Sequence, residues 1–257
     1  MEVRTSVILA GGMSKRFGSD KLFYPVRGKP MLVNVVDSVK EIVDEVIVVT
    51  NGEDRAKRIR ETLKIPVITD AEAPCSGPVR GVITAGFSGS TLILPADLPW
   101  INSNALKELL SSFDGLGDAE VYGVYHREMV ESLITLVKEE GPFKAVKEAC
   151  QLKGARVTDF HRAANSLILL NLESLKEGWR FLDVDRPEDL FPRPWKPQGL
   201  EFRYRRLNDH YFRAMNYLKA GNLKEAIESF RLEGLTWDFA NVRAHCIKDA
   251  KNLAKRL

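Results

Sequence analysis

Near its N-terminus the chain reads Thr5-Ser6-Val7-Ile8-Leu9-Ala10-Gly11-Gly12, a short apolar run that stops at two glycines. An apolar run of this length, bounded by a turn signal, predicts a buried β-strand. A second run, Val46-Ile47-Val48-Val49, is apolar throughout, as expected of a parallel strand covered on both faces. Apolar residues at helical spacing over 30–39 separate the two runs. The pattern therefore predicts strand, helix and strand in succession, the unit from which parallel sheets are built.

Strand and helix signals keep alternating through the residues that follow. Further strands are predicted at 66–69, 91–94, 120–125, 132–137 and 157–160. Further helices are predicted at 55–63, 78–87, 104–113 and 143–152. Residues 179–190 are expected to add a short strand and then a proline-initiated turn or helix. We therefore expect an α/β fold: a three-layer, Rossmann-like, mainly parallel sheet with helices on both faces and some antiparallel pairing in its second half.

A proline-rich stretch divides this region from the rest of the chain. Pro192, Pro194 and Pro197 fall within six residues, which excludes a helix and favours an extended spacer. Beyond it, helices are predicted at 205–219, 223–230 and 239–257. They include one tetratricopeptide-type hairpin, too few repeats to be stable alone, so we expect it to dock on the larger domain. The predicted divisions are a large domain at 1–191, a linker at 192–199 and a small all-α domain at 200–257.

The composition is that of an ordinary soluble globular protein. The 257 residues are 44% hydrophobic and 28% charged, with no apolar run long enough to span a bilayer and no signal-peptide pattern. A cytoplasmic location is therefore expected. Cys75, Cys150 and Cys246 lie far apart and are expected to be reduced. Residues 199–257 hold 12 Lys or Arg against 7 Asp or Glu but no basic run, which favours a solvated surface over a nucleic-acid site.

The glycines after the first strand continue as Gly11-Gly12-Met13-Ser14-Lys15-Arg16-Phe17-Gly18-Ser19-Asp20-Lys21. Neither the dinucleotide signature Gly-x-Gly-x-x-Gly nor the nucleoside-triphosphatase signature Gly-x(4)-Gly-Lys-Ser/Thr is present. Paired glycines let backbone N–H groups approach phosphate oxygens. Arg16 can add a bidentate contact and Lys21 a point charge. The pattern favours a triphosphate-binding loop over the alternative, a tight turn with exposed basic residues.

Asp97 closely follows the apolar run at 91–94. That position lies at the carboxyl end of a predicted strand, where ligands bind in open α/β sheets. A carboxylate there suits Mg²⁺ that bridges phosphates. The alternative is an aspartate that only caps the next turn. The order of glycine loop and strand-end carboxylate along the chain favours the metal ligand.

Two further segments follow the loop at 9–21 in order along the chain with Leu94-Pro95-Ala96-Asp97-Leu98-Pro99: they are Ser76-Gly77-Pro78-Val79-Arg80-Gly81 and Asp183-Val184-Asp185-Arg186-Pro187-Glu188-Asp189-Leu190. Together these four segments resemble the molybdenum cofactor guanylyltransferase family and its relatives among the nucleoside triphosphate transferases. The resemblance covers about 3–191 and leaves the tail outside. The last segment departs from the family pattern, with aspartates where asparagines are usual and Arg186 where threonine is usual, which bears on how an acceptor is recognised.

The resemblance implies roles for individual residues. Asp97 would be the principal magnesium ligand and Asp185 the second, with Asp183 a weaker candidate. The implied catalytic groups are Arg16, Lys21 and Asp97. The implied nucleotide-binding residues are Leu9, Ala10, Gly11, Gly12, Lys21, Thr50, Asn51, Asp70, Gly77 and Asp97. For Asn51, which precedes a glycine, an ordinary Asx turn is the alternative.

The resemblance also implies a reaction. The protein would be a Mg²⁺-dependent nucleotidyltransferase that transfers GMP from GTP to molybdopterin and releases pyrophosphate, with molybdoenzymes or proteins of the cofactor pathway as possible partners. Three alternatives stay open: CTP as the donor, a cobinamide or sugar phosphate as the acceptor, and a non-catalytic nucleotide-binding regulator with a helical interaction module. Membrane and nucleic-acid partners are not expected. An oxidoreductase is not expected either, because the dinucleotide glycine spacing is missing.

Overall fold

The structure is a computed structural model, and it describes residues 1–12, 14, 16–69, 75–206 and 209–257. Asp70, one of the implied nucleotide-binding residues, lies outside these ranges. The strands are β1 (Thr5–Leu9), β2 (Pro25–Val26), β3 (Lys29–Pro30), β4 (Glu45–Thr50), β5 (Val67–Thr69), β6 (Thr91–Pro95), β7 (Val121–His126), β8 (Met129–Val137), β9 (Ser166–Asn171) and β10 (Phe202–Arg206). The helices are α1 (Met31–Lys40), α2 (Glu53–Leu63), α3 (Pro78–Ala85), α4 (Ser103–Gly115), α5 (Glu140–Leu152), α6 (Thr158–Arg162), α7 (Asp209–Lys219), α8 (Leu223–Leu235) and α9 (Ala240–Ala254).

The main sheet has the strand order β10-β9-β7-β8-β6-β1-β4-β5. All five residues of β1 are buried, and β1 lies parallel to both β4 and β6. The second half is mixed, since β8 runs antiparallel to β6 and β7 while β9 is parallel to β7. The predicted mainly parallel α/β sheet with antiparallel pairing in its second half is therefore confirmed. Because β1, β4 and β6 run the same way, their carboxyl ends share one edge of the sheet.

Helices cover both faces of this sheet. Buried residues of α1, α2 and α4 form one core with one face, and those of α3, α5, α6 and the tail helices α7, α8 and α9 form the other. The expected three layers and the expected docking of the tail helices are both present. No helix among the described residues is long and apolar enough to cross a membrane.

Three local predictions were wrong. The predicted strand at 157–160 falls in helix α6. An apolar run this short does not distinguish a strand from a helix. The predicted strand after 179 is absent. In its place, 3-10 turns at Gly178–Phe181 and Pro187–Leu190 flank a loop. In that loop Val184 donates its N–H to the Asp97 carbonyl and not to a neighbouring strand. The predicted helix start at Arg205 belongs to β10, which pairs antiparallel with β9, a strand that the sequence analysis does not assign.

The expectation that all three cysteines are reduced was also wrong. Cys75 and Cys150 form a disulfide, and Cys246 is free and buried. The two residues are 75 positions apart in sequence, but the turn before α3 and the end of α5 pack on the same face of the sheet, with the Cα atoms 4.8 Å apart. A separation of that size allows a disulfide, and no local spacing signals it.

A buried cluster of charges fixes the tail on the sheet. The Arg162 guanidinium, fully buried, lies 2.7 Å from both carboxylate oxygens of Glu233 in α8 and 2.7 Å from Asp249 Oδ2 in α9. Lys153 Nζ lies 2.9 Å from the same Asp249 oxygen. Burial of charges is costly unless they are paired, so these contacts favour the observed position of α8 and α9 over positions that would leave the charges unpaired.

Candidate active site

The glycine loop leaves the sheet between the ends of β4 and β6. Ala10 donates its N–H to the Val49 carbonyl at 2.7 Å, and its own carbonyl accepts from the Thr50 hydroxyl at 3.0 Å. Gly12 has a φ of +99°, a conformation that favours glycine. A Cβ built on Gly11 or Gly12 would meet no atom within 4 Å. The loop is thus held at its base by β4, while both glycines face open space.

A cavity of about 510 Å³ adjoins this loop. Its lining brings together predicted nucleotide-binding residues from four separate segments: Leu9, Gly11, Gly12, Thr50, Asn51, Gly77 and Asp97. The Thr50 side chain is buried and its hydroxyl is used by Ala10, so Thr50 supports the loop. Asn51 is exposed at the rim, where its Oδ1 lies 3.4 Å from Arg55 NH1.

Helix α3 forms one wall of this cavity. Pro78 starts the helix at a position where its missing N–H costs nothing, and Gly77 before it has a φ of +72°. A Cβ on Gly81 would lie 3.0 Å from Val49 Cγ1 and 3.1 Å from Leu9 Cδ2. Glycine at 81 therefore lets α3 lie close against β1 and β4 and keeps the turn at Gly77 beside the loop.

The charged groups meet in a second, smaller cavity of about 330 Å³, lined by Gly11, Gly12, Ser14, Arg16, Lys21, Asp97 and Asp185. Lys21 Nζ lies 2.6 Å from Asp97 Oδ2, 2.7 Å from the Val184 carbonyl and 3.4 Å from Asp185 Oδ1. Arg16 NH1 lies 2.8 Å from Asp185 Oδ2. Burial alone would lower the pKa of Lys21, but the Asp97 and Asp185 carboxylates outweigh it and raise that pKa. Lys21 is therefore held as an ammonium ion.

Three carboxylates form the acidic side of this centre. Asp97, Asp183 and Asp185 each offer an oxygen, and these oxygens all lie within 4.8 Å of one another. Among the described residues, no group donates a hydrogen bond to the buried Oδ1 of Asp97. Burial, together with the charges of Asp97 and Asp185, raises the pKa of Asp183. An oxygen-only donor set with a free buried oxygen fits a hard divalent cation such as Mg²⁺.

The closing segment is positioned by its own turn. Asp189 Oδ2 accepts the N–H groups of Asp185 at 3.0 Å and Arg186 at 2.8 Å, which caps the 3-10 turn that Pro187 begins. Val184 donates its N–H to the Asp97 carbonyl at 3.0 Å. These bonds carry Asp183 and Asp185 to the end of β6, although the segment is far from Asp97 in sequence.

Two residues near the centre have no counterpart among the predicted site residues. Arg55, in the first turn of α2, donates to the Gly12 carbonyl at 2.5 Å and pairs with Asp20, so it ties the glycine loop to α2. Glu131 on β8 is half-buried, and burial with the charge of Asp183 raises its pKa to about 7. The only sequence signal for either is a charged residue on an amphipathic element, which is common on solvated surfaces.

Comparison with known proteins identifies relatives of this chain. Residues 6–164 match the MobA-like NTP transferase domain. The chain is 30% identical over 189 residues to a probable molybdenum cofactor guanylyltransferase of Thermococcus gammatolerans, covering 71% of this chain and 95% of the relative. It is 28% identical over 191 residues to a molybdenum cofactor guanylyltransferase of Shewanella loihica, covering 71% and 91%.

A solved structure shares the fold. Molybdopterin-guanine dinucleotide biosynthesis protein A of Archaeoglobus fulgidus superposes with a TM-score of 0.59 at 19% identity, covering 72% of this chain and 94% of that one. Helices α7, α8 and α9 lie beyond the matched domain, which ends at residue 164. The extent of the domain match and the identity to full-length relatives show that the chain is a nucleotidyltransferase and belongs to the MobA-like NTP transferase family.

Proposed function

We propose that this protein is a magnesium-dependent guanylyltransferase that transfers GMP from GTP to molybdopterin and releases pyrophosphate. The observation that carries the proposal is the single cavity in which the glycine loop, the cations Arg16 and Lys21, and the carboxylates Asp97 and Asp185 meet. That cavity shares Gly11, Gly12 and Asp97 with the larger one beside it. One nucleotide can therefore place its triphosphate among the charges and its nucleoside between β4 and α3.

The donor site follows from this arrangement. The N–H groups of the glycine loop and the side chains of Arg16 and Lys21 would bind the triphosphate oxygens. Asn51, at the rim of the larger cavity, has an amide that can both donate to and accept from a base edge. Guanine as the base, and molybdopterin as the acceptor, are proposed because the relatives are named molybdenum cofactor guanylyltransferases.

The chemistry needs no protein nucleophile. A phosphate oxygen of the acceptor attacks the α-phosphorus of the donor, and the bond to pyrophosphate breaks. No proton has to be removed, because the attacking phosphate is already ionised. A magnesium ion held by Asp97 and Asp185 would supply charge neutralisation at the phosphates. Lys21 and Arg16 hold and orient the triphosphate, so that positioning and preorganised charge lower the barrier.

The proposal also concerns the setting of the reaction. We place it in the cytoplasm, where nucleoside triphosphates are available, and expect the product to pass to a molybdoenzyme or another protein of the cofactor pathway.

A panel of donors and acceptors tests the proposal. The full chain is incubated with Mg²⁺, one of GTP, CTP and ATP, and one of molybdopterin, a cobinamide and a sugar 1-phosphate, and pyrophosphate release is measured. The proposal predicts release with GTP and molybdopterin and at most slow release with the other pairs. Preference for CTP or for another acceptor would overturn the assignment of the substrates. Tight GTP binding without release for any acceptor would instead indicate a regulator.

A further inference from the structure

A third cavity, of about 260 Å³, lies beside the acidic centre, and none of the described residues of the glycine loop lines it. Its walls come from the first half of β8, from the segment at 181–183 and from Asn241 of α9. Pro95 and Leu133 line both this cavity and the larger donor cavity. The two spaces are therefore adjacent, and they meet at the end of β6.

The carboxylates lie where these spaces meet. Asp97 lines the donor cavity, and Asp183, whose oxygen is within 4.8 Å of the Asp97 oxygen, lines the third cavity. A ligand in the third cavity would thus have one end near Asp97, which also lines the charged cavity proposed for the donor triphosphate. Nucleotidyl transfer requires two ligands that approach one another at such a point.

Glu131 gives this cavity a specific chemical character. Its carboxylate is half-buried and lines the cavity, and no hydrogen bond or ion pair joins it to another described residue. In its ionised form this carboxylate only accepts hydrogen bonds, and its two oxygens match a pair of adjacent N–H donors, which stabilise that form. Asp183 lines the same cavity, and no Lys, Arg or His is among the described residues that line it. The wall therefore disfavours a phosphate and favours a neutral end rich in donors. An amino group next to a ring N–H, as on an aminopyrimidinone edge, satisfies both conditions.

The tail holds this wall in place. Between the pairs Tyr125 with Val130 and Gly123 with Thr135, one residue of β7 faces four residues of β8, so that 131–134 bulge out of the ladder. Asn241 of α9 forms two hydrogen bonds with the residue directly before the bulge. Its Nδ2 donates to the Val130 carbonyl at 2.9 Å, and its Oδ1 accepts from the Val130 N–H at 3.4 Å. One side chain from the tail therefore binds both backbone polar groups of the residue that precedes the bulge.

We propose that the third cavity is the acceptor site, in which Glu131 pairs with adjacent N–H donors on a neutral heterocyclic end of the acceptor. Asn241 is a positioning residue that holds the bulge carrying Glu131. The inference rests on the proposed function and deepens it. It gives the tail, which lies outside the matched domain, a defined part in the site.

The test measures the two substrates separately. Glu131→Gln keeps the shape of the side chain but replaces one acceptor oxygen by an N–H donor. Because a charge-assisted pair is lost, the KM for molybdopterin should rise at least about tenfold. The KM for GTP should stay within about twofold of the wild-type value. Asn241→Ala should raise the same KM and leave kcat within about threefold. The matched controls are Glu128→Gln in the exposed β7–β8 turn and Asn252→Ala on the exposed face of α9, which should change neither constant.

A double-variant cycle separates positioning from general destabilisation. If Asn241 acts through Glu131, the effects of Glu131→Gln and Asn241→Ala on the molybdopterin KM will be less than additive. Should Asn241→Ala not fold, Asn241→Asp, which keeps the acceptor for the Val130 N–H, takes its place. Additive effects, or an equal change in the KM for GTP, would overturn the positioning role.

Direct binding distinguishes this inference from the proposed function. The fluorescent, phosphate-free probe 6-hydroxymethylpterin is titrated into the wild-type protein and into Glu131→Gln. Binding that Glu131→Gln weakens at least about tenfold supports the cavity assignment even if no pair of substrates releases pyrophosphate. Equal affinity of both proteins, or an unchanged molybdopterin KM in an active Glu131→Gln, would overturn it while leaving the guanylyltransferase proposal intact.

Discussion

Lys21 Nζ lies 2.6 Å from Asp97 Oδ2, although the two residues are 76 positions apart in sequence. Lys21 follows the glycine loop that leaves β1, and Asp97 follows β6, the strand parallel to β1 in the sheet. The pairing therefore results from the parallel sheet, which brings the two strand ends to one edge. It places a cation and a carboxylate, each mostly buried, at the point where a triphosphate is proposed to bind.

Replacement of Lys21 should affect chemistry far more than folding. Lys21→Met keeps the length of the side chain and removes its charge, so turnover should fall by about 10²–10³-fold, as when one preorganised donor is lost. The matched control is Lys29→Met, since Lys29 is exposed and pairs only with Asp37 among the described residues. Steady-state kinetics and a thermal melt of each variant are the measurements. Normal turnover in Lys21→Met at saturating nucleotide would contradict this role.

Gly81 should tolerate no side chain. The added methyl of Gly81→Ala would lie 3.0 Å from Val49 Cγ1 and 3.1 Å from Leu9 Cδ2. Because Val49 is buried and its β-branched side chain is stiff, we expect α3 to shift away from β4 at a cost of about 1–3 kcal/mol. Chemical denaturation should show this loss, and GTP should bind more weakly because the turn at Gly77 moves with α3. Gly115→Ala, at the open end of α4, is the control and should be neutral or slightly stabilising. Equal stability of the two variants would refute the close packing of α3.

The disulfide should be detectable by counting thiols. In the denatured, unreduced protein one thiol per chain, that of Cys246, should react. The double variant Cys75→Ser with Cys150→Ser should lose about 2–4 kcal/mol of unfolding free energy, and reductant should give the wild-type protein a similar loss. Three reactive thiols, with stability that does not respond to reductant, would show that the pair is not formed.

The buried charges under the tail predict a dependence on acid. Burial opposes ionisation of Asp249, but Arg162 and Lys153 outweigh it and depress its pKa well below the usual range. A depressed carboxyl pKa stabilises the fold above the unfolded-state value near pH 4, and this contribution declines as the pH falls below it.

Asp249→Asn measures that contribution. Because it leaves Arg162 and Lys153 buried without one of their partners, the variant should lose about 3–5 kcal/mol near pH 7. Its stability should then fall less than that of the wild-type protein between pH 5 and pH 3. Asp238→Asn, on an exposed side chain, is the control. Parallel pH curves for wild type and Asp249→Asn would contradict the role of the cluster.

Features of the fold and of the candidate site could be predicted from the sequence where neighbouring residues mark them. The glycine turn after β1, the aspartate after β6 and the proline-initiated turn at 187 are each marked by neighbouring residues, and the parallel strands bring them to one edge. Glu131, Arg162 and Cys75 could not be predicted in this way. Glu131 depends on a bulge that Asn241 holds from 111 positions away, and Arg162 is stabilised by partners 71 and 87 positions away. Such long-range contacts leave no periodic pattern.

The most direct test of the account is the appearance of pyrophosphate and of a guanine dinucleotide product from GTP and molybdopterin, followed in the wild-type protein and in Asp97→Asn. We expect the wild-type protein to form the two products in equimolar amounts, and we expect this activity to be lost when EDTA removes divalent ions. In Asp97→Asn the rate of product formation should fall at least about 10²-fold, while the melting temperature stays unchanged. Equal rates in the two proteins, or formation that EDTA leaves unaffected, would contradict it.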